Sequence, residues 1–583
     1  MKQFLALLST SIFAIMVLQY CTSSQAKSVS IKSYLANKTV ISCMPGAGID
    51  DDWLEDHPEG IPALQGWGNY NWKVSTNNDS AQFYFNQGIN MYYSFHMIEA
   101  SASFAKSATF DPNFAMAYWG QALAKGPNIN YPDVSTDASN EALRLIEKAK
   151  VAVENASPLE KKLVETIAYR YSIDTTISRE KLNTDYAIAM KGLYADFPSN
   201  ADAMSLYADA LMVQHPWDLY NQDETPKTWT PAITAVLEKA LAKFPNHPAI
   251  NHYYIHAIEA SATPGRAIPS ADRLSTMMPE VSHMVHMPSH IYIRTGNYKQ
   301  GIDVNTSAIS GFNDYRKEFP AVEELAGLYL SHNEHMQVAC AMMAARSSYA
   351  LKTAEETQNN IPDSYFEEPS AFGNYLQSIH MLPTIVKLRF GNWNKLLEEP
   401  FAKSSLAFEY AYQLFAKGMA AANTNKPVDA GNYLQQLQEK MNNPILKEKY
   451  AAFANSALAS LKISEELLQG TIAINQNKLN DAINFYKHAV DSEDAMLYGE
   501  PQDWLLPARH YLGDALLQTK NYKDAELVYR KDLAKNPANS WSLYGLMLAQ
   551  NRQKKTAEVA KTKAAFKKAS ADADVKIASS VVK

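Results

Sequence analysis

Eight of the chain's 14 histidines (His247, His252, His256, His283, His286, His290, His332 and His335) fall within 89 of its 583 residues, where an even spread would put about two. Imidazole is a ligand for zinc, copper, nickel or iron, and a tract so biased toward it points to metal. The spacing is more specific than the number. Three small residues, Ala267, Gly301 and Ala350, serve as rulers. His252, His286 and His335 each lie 15 residues before theirs, His256 and His290 lie 11 before, and His283 and His332 lie 18 before. Glu259 lies 8 before Ala267 and would add an oxygen ligand. Places related as i, i+3, i+7 and i+10 form one stripe along a helix.

Three readings of this stripe compete. The first is a divalent-metal site formed by His252, His256, Glu259, His283, His286, His290, His332 and His335, with the surplus ligands in an outer shell or a second site. The second is a metal-free surface that hydrogen-bonds a peptide or a small anionic ligand, with Arg294 beside the stripe. The third is a stack of structural histidines. A metal would open the way to an enzyme acting on a small molecule or peptide, with Glu259 or Glu334 as base. The metalloprotease pattern fails, because His252-Tyr253-Tyr254-Ile255-His256 has tyrosine where the water-activating glutamate belongs. No GxSxG elbow, GxxxxGK[ST] loop or GxGxxG loop is present, so neither that hydrolase type nor nucleotide use is supported.

The elements that must position these residues are helix pairs. Gly88, Ala100, Phe104 and Pro112 are spaced 12, 4 and 8, as are Gly513, Ala525, Tyr529 and Pro537. A small residue on each helix lets two antiparallel backbones approach, an aromatic fills the gap to the next pair, and proline stops the second helix. A pair of this kind recurring about every 34 residues marks tetratricopeptide repeats (TPR).

On these residues the chain resembles TPR proteins, most closely over Ala515–Pro537 and Phe83–Gly126. Through GPNIN (126–130), HPWDLY (215–220), NHYYIHAIEAS (251–261), HMVHMPSHIYIRTG (283–296) and HNEH (332–335) it is similar to a family of large bacterial TPR proteins. That resemblance implies an all-α solenoid, a right-handed superhelix of roughly eight to ten helix pairs in which each repeat touches only its neighbours. It also implies that the histidine stripe of each first helix lines a concave groove, with Arg294 and His510 (15 before Ala525) as further groove residues. Neighbouring helices about 8–10 Å apart would let the imidazoles converge. The partner expected there is a protein, a peptide or a small molecule, and TPR arrays also admit a homodimer through a terminal repeat. The family is named for its repeats, so the resemblance speaks to fold rather than to reaction.

Composition agrees with a folded chain: 46% hydrophobic, 20% charged and a net charge of −7. The acidity excludes nucleic acid as the main partner. The basic run Lys554–Lys568 reads as a solvated last helix. Lys2, the apolar run Phe4–Leu18 and Ser24-Gln25-Ala26 read as a signal peptide over 1–26, so the protein is expected to be exported, periplasmic or extracellular, with no transmembrane span. Lipidation at Cys21 is the alternative, disfavoured by bulky Tyr20. Residues 27–80 form an irregular lead, in which Asp50–Asp52 reads as a turn rather than a calcium loop, and 81–583 form the solenoid, with the histidine-rich part at about 247–335. Cys340 reads as core. Trp119, Trp217 and Trp504 read as core or loop anchors.

Overall fold

The computed structural model describes residues 61–583 except 319–322, 363–365, 367, 368 and 453. The expected signal peptide, Cys21, Cys43 and Asp50–Asp52 lie outside the described residues. The rest of the lead, 61–78, is irregular and buries Ile61, Trp67 and Trp72 against the first helices. No helix among the described residues is long and apolar enough to cross a membrane.

Among the described residues twelve helix pairs follow one another. They are α1 (Asp79–Tyr93) with α2 (Met97–Phe110), α3 (Ala115–Ala124) with α4 (Thr136–Val151), α5 (Pro158–Ile167) with α6 (Arg179–Asp196), and α7 (Ala201–Met212) with α8 (Thr230–Lys243). Next come α9 (Pro248–Ile258) with α10 (Ile268–Met277), α11 (Ser282–His286) and α12 (Pro288–Arg294) with α13 (Tyr298–Glu318), and α14 (Glu323–Met343) with α15 (Ser347–Asn359). The last are α16 (Ala371–His380) and α17 (Leu382–Arg389) with α18 (Trp393–Glu398), α19 (Ala407–Asn423) with α20 (Pro427–Lys440), α21 (Ala457–Asn475) with α22 (Leu479–Asp494), α23 (Ala508–Gln518) with α24 (Tyr522–Lys535), and α25 (Ser540–Arg552) with α26 (Thr556–Ala569). The protein is therefore an all-α TPR solenoid, with more pairs than the eight to ten expected. Pairs such as α5/α6 and α19/α20 lack the full small–small–aromatic–proline spacing and escape a search for it.

The spacing rule has a direct packing cause. A β-carbon added at Gly88 would come within 2.7 Å of the Phe104 ring, and one at Gly120 within 2.5 Å. Phe104 is fully buried between α1 and α3. Tyr529 is wedged in the same way between Gly513 and Gly545. Gly301 makes room for the sulfur of Cys340, which is core as expected. Local signals set the helix starts: Asn78 caps α1 through Ser80 and Ala81, and Ser157 with Glu160 forms a capping box on α5. Proline at the first position of α12 has no N–H to give, so this first helix is split between His286 and Pro288.

Contacts do not stop at neighbouring repeats. The hydroxyls of Tyr92 and Tyr93 on α1 donate to Asp209 (3.0 Å) and Asp202 (2.8 Å) on α7. Tyr298 donates to the carbonyl of Pro537 at 2.8 Å, and the indole of Trp541 donates to that of Met342 at 3.0 Å. Asp574, past the last helix, accepts from the backbone of Ser347 and Ser348. Both ends of the repeat array thus pack on its middle. The neighbour-only expectation fails because these aromatic hydroxyls and indoles reach buried acceptors far along the chain. The basic helix α26 stays largely solvated.

The wedge makes a stability prediction. Gly120→Ala is expected to cost about 1–3 kcal/mol by overpacking Phe104, despite the better helix propensity of alanine. Gly431→Ala on α20, where an added β-carbon meets nothing within 4 Å, is expected to gain up to about 1 kcal/mol. Chemical denaturation reads both, and a Gly120→Ala variant as stable as the parent would contradict the packing account.

Candidate metal centre

The helices deliver the histidines as two triads, each built across a repeat boundary. His252 and His256 on α9 meet His283 on α11: the Nε2 of His252 is 3.1 Å from that of His256 and 3.0 Å from that of His283. His286 on α11 and His290 on α12 meet His332 on α14, with Nε2 separations of 2.8 Å (His286–His290) and 3.0 Å (His286–His332). In the ruler register each triad takes places −15 and −11 of one repeat and −18 of the next. The two triads are neighbours, with the rings of His256 and His290 6.0 Å apart and those of His283 and His286 6.5 Å apart. All six histidines are buried.

The far nitrogens show what the near ones must carry. His252 Nδ1 lies 2.8 Å from the carbonyl of Tyr93, which can only accept. His286 Nδ1 lies 2.6 Å from Asn305 Oδ1, and the amide nitrogen of Asn305 is itself committed to the carbonyl of Gly301 at 2.7 Å. His256 Nδ1 faces Glu259 Oε1 at 3.0 Å. His290 Nδ1 faces Glu259 Oε2 at 2.7 Å and Glu500 Oε2 at 2.8 Å. Nδ1 of His252 and of His286 is then the donor, so their Nε2 atoms carry lone pairs. His290, protonated below about 9, donates its Nε2–H to His286, and the Nε2 of His256 faces that of His252 at 3.1 Å. Glu259 sits on the outer, Nδ1 side and joins the two triads there. There its carboxylate, His256 and His290 form a third group of possible ligands within 4.8 Å of one another, in keeping with the expectation that Glu259 is a ligand.

Burial keeps the imidazoles neutral. It pushes His256 down to about 4 and His286 to about 3. His252, His283 and His332 are driven well below 6.5 by burial and then by the neighbouring histidines. His290 is the exception: burial lowers it, but the carboxylates of Glu500 and Glu259 more than reverse this and raise it to about 9. Burial and Glu500 together hold Glu259 well above the usual carboxylate range.

Aromatic rings close the site. Phe95, at the α1–α2 turn, lies 4.5 Å from the ring of His252 and 5.8 Å from that of His283. Trp217, in the α7–α8 loop, stands edge-on to His256 at 5.5 Å. The histidines therefore face an interior, whereas the stripe was expected to line an open groove. Glu500 comes from the α22–α23 loop, outside the repeat register, so nothing in the spacing pointed to it.

The remaining expected site residues lie elsewhere. His335 is buried but joins neither triad, because the place four residues on, which holds His256 or His290 in the other repeats, is Ala339. Arg294 lies at the edge of the cluster, with Nε on the carbonyl of Glu259 (3.2 Å) and Nη2 on Glu224 (2.8 Å) and the carbonyl of Ser261 (3.1 Å). His510 is buried with Nε2 3.1 Å from Asp532, in a structural cluster with Asn539 and Ser542, and is not a groove residue. Glu334 accepts from Asn360 at 2.9 Å, and burial raises it to about 7. Trp119 and Trp504 are buried anchors, as expected. A cavity of about 900 Å³ borders the site and is lined in part by Trp217, Arg294, His335 and Glu500.

No known protein family and no curated protein matches the chain. Among solved structures, the chain is similar to the human IFIT1 dimer with m7Gppp-AAAA, at 11% identity over 94% of this chain and 100% of that one, with a TM-score of 0.31. It is similar to yeast Tom70 at 11% identity over 83% and 92%, TM-score 0.32. It is also similar to the APC/C hetero-tetramer Cut9-Hcn1 at 11% identity over 84% and 96%, TM-score 0.25. At these superposition values the likeness carries nothing about what this chain binds.

The neutral imidazoles set a pH dependence for chelator-treated protein. Below pH 6.5 the unfolded chain takes up protons that the folded histidines refuse, so stability is full above about 6.5 and is lost as pH falls toward 4 and 3. His290 acts in the opposite sense and gives up its contribution as pH rises through about 9. Denaturation midpoints should fall steeply between pH 6.5 and 4, by more than about 3 kcal/mol in total. A flat profile there would contradict the buried, neutral assignment.

Proposed function

We propose that the protein is a metal protein whose solenoid interior holds two adjacent three-imidazole centres, His252/His256/His283 and His286/His290/His332. One observation carries this reading: in each triad three imidazole nitrogens lie within 4.8 Å of one another, with the Nε2 lone pairs of His252 and His286 aimed into the convergence. Imidazole triads suit zinc, copper, nickel or iron and not the hard, oxygen-seeking calcium or magnesium. They also leave coordination positions open, as reactive rather than purely structural sites do.

The chain's own residues have definite tasks in this reading. Tyr93, Asn305, Glu259 and Glu500 accept the Nδ1 protons, which fixes the tautomers and raises ligand basicity. Phe95 and Trp217 exclude water. A metal ion bound there would supply Lewis acidity or electron transfer to a small molecule. The aromatic closure over the imidazoles favours such chemistry over a peptide laid along a histidine groove. Arg294 is fully engaged by Glu259, Ser261 and Glu224, which weakens the alternative of an anionic ligand in a metal-free groove. The proposal includes export, on the strength of the 1–26 segment.

Elemental analysis of chelator-free purified protein is the test. About two equivalents of one transition metal are expected. His252→Ala and His286→Ala should each remove about one, and His510→Ala none. Asn305→Leu should weaken uptake at the second centre about 10–100-fold. Wild type that is metal-free and takes up none of the four metals on titration would overturn the reading.

A further inference from the structure

We propose that the cavity of about 900 Å³ beside the histidine triads is a binding chamber for a small organic cation, an amine, held by His335. The proposal takes from the metal reading only the chemistry that would follow binding.

Three independent observations converge on this ligand class. The first is His335 itself. It is 7% exposed, borders the cavity and has no hydrogen-bond partner among the described residues. Its ring nitrogens are not among the fully buried atoms left without a partner, so they open onto the cavity, and that orientation needs an explanation. The register supplies one: His335 holds the place that His252 and His286 use in the triads, but with Ala339 four residues on it has no second imidazole to converge with. The ring is left facing the cavity, and a neutral imidazole nitrogen accepts a hydrogen bond from an ammonium group.

The second observation is charge. Seven carboxylates and three fixed cations line the cavity. Each cation is already matched: Lys227 by Asp218, Arg294 by Glu224 and Lys535 by Asp494. Asp223, Glu493 and Asp503 have no fixed cation in salt-bridge contact among the described residues. The lining therefore has an excess of negative charge, and no cation is spare to hold an anionic ligand.

The third is the wall. Tyr375 and Tyr450 pack ring against ring at 5.0 Å, and Trp217 and Tyr498 border the same space. Aromatic faces beside carboxylates attract ammonium groups. Glu500 borders both the cavity and His290, so a ligand in the chamber lies against the loop that touches the second triad.

Isothermal titration calorimetry of metal-loaded protein with benzylamine, benzyl alcohol and benzoate tests this, with metal content measured on every sample. Benzylamine is expected to bind at least about tenfold more tightly than the other two. His335→Ala should weaken it at least about fivefold with metal content unchanged, and His335→Gln, which keeps an acceptor, should lose less. The proposal is overturned if the loaded protein ignores benzylamine, binds benzoate equally well, or binds benzylamine as tightly after His335→Ala. Benzylamine binding by a wild type that takes up no metal would support the chamber while sinking the metal reading, so the two fail separately.

Discussion

An imidazole that gives its Nδ1 proton to an acceptor has only a lone pair left at Nε2, and everything about this interior depends on that. Tyr93, Asn305, Glu259 and Glu500 take those protons from four rings. At His252 and His286 the lone pair left behind points inward, at the Nε2 atoms of the other rings of its triad. Such a convergence of imidazole nitrogens suits a cation. The burial that keeps the rings neutral also strengthens every electrostatic interaction a bound ion would make.

Repetition explains why there are two triads. A helix pair places one histidine pair four residues apart on its first helix, and the next pair brings a third ring into reach. Translating this unit by one repeat makes the second triad from the same parts. The array ends on each side by substitution: Ala249 holds the −18 place before the first triad, and Ala339 holds the −11 place after the second. His335 is what remains of a third unit, turned toward the cavity. The long-range packing of α1 on α7 brings Phe95 and the Tyr93 carbonyl to the first triad, and the α22–α23 loop brings Glu500 to the second. Closure of the solenoid on itself is therefore part of the site and not only of its stability.

Much of this was legible in the residues. The glycine–alanine–aromatic–proline spacing gave the helix pairs, because close backbone approach leaves a sequence trace at Gly88 and Gly513. Pairs packed by other means left none, which is why fewer were expected than exist. The shared register of seven histidines placed six of them correctly on facing helices. It could not show that the stripe is covered, because covering comes from contacts more than a hundred residues apart, such as Tyr93 with Asp202. Nor could it reveal Glu500, which sits in a loop with no period to betray it, or that the loop anchor Trp217 stands against His256. His510 occupied the expected register place and still belongs elsewhere, since register fixes a helix face and not what packs on it.

The most direct measurement is anomalous diffraction at the metal's absorption edge on crystals of metal-loaded protein. The account predicts two peaks, one within bonding distance of the Nε2 atoms of His252, His256 and His283 and the other of those of His286, His290 and His332. Peaks confined to surface carboxylates, or none at the edges of zinc, copper, nickel and iron after loading, would contradict it.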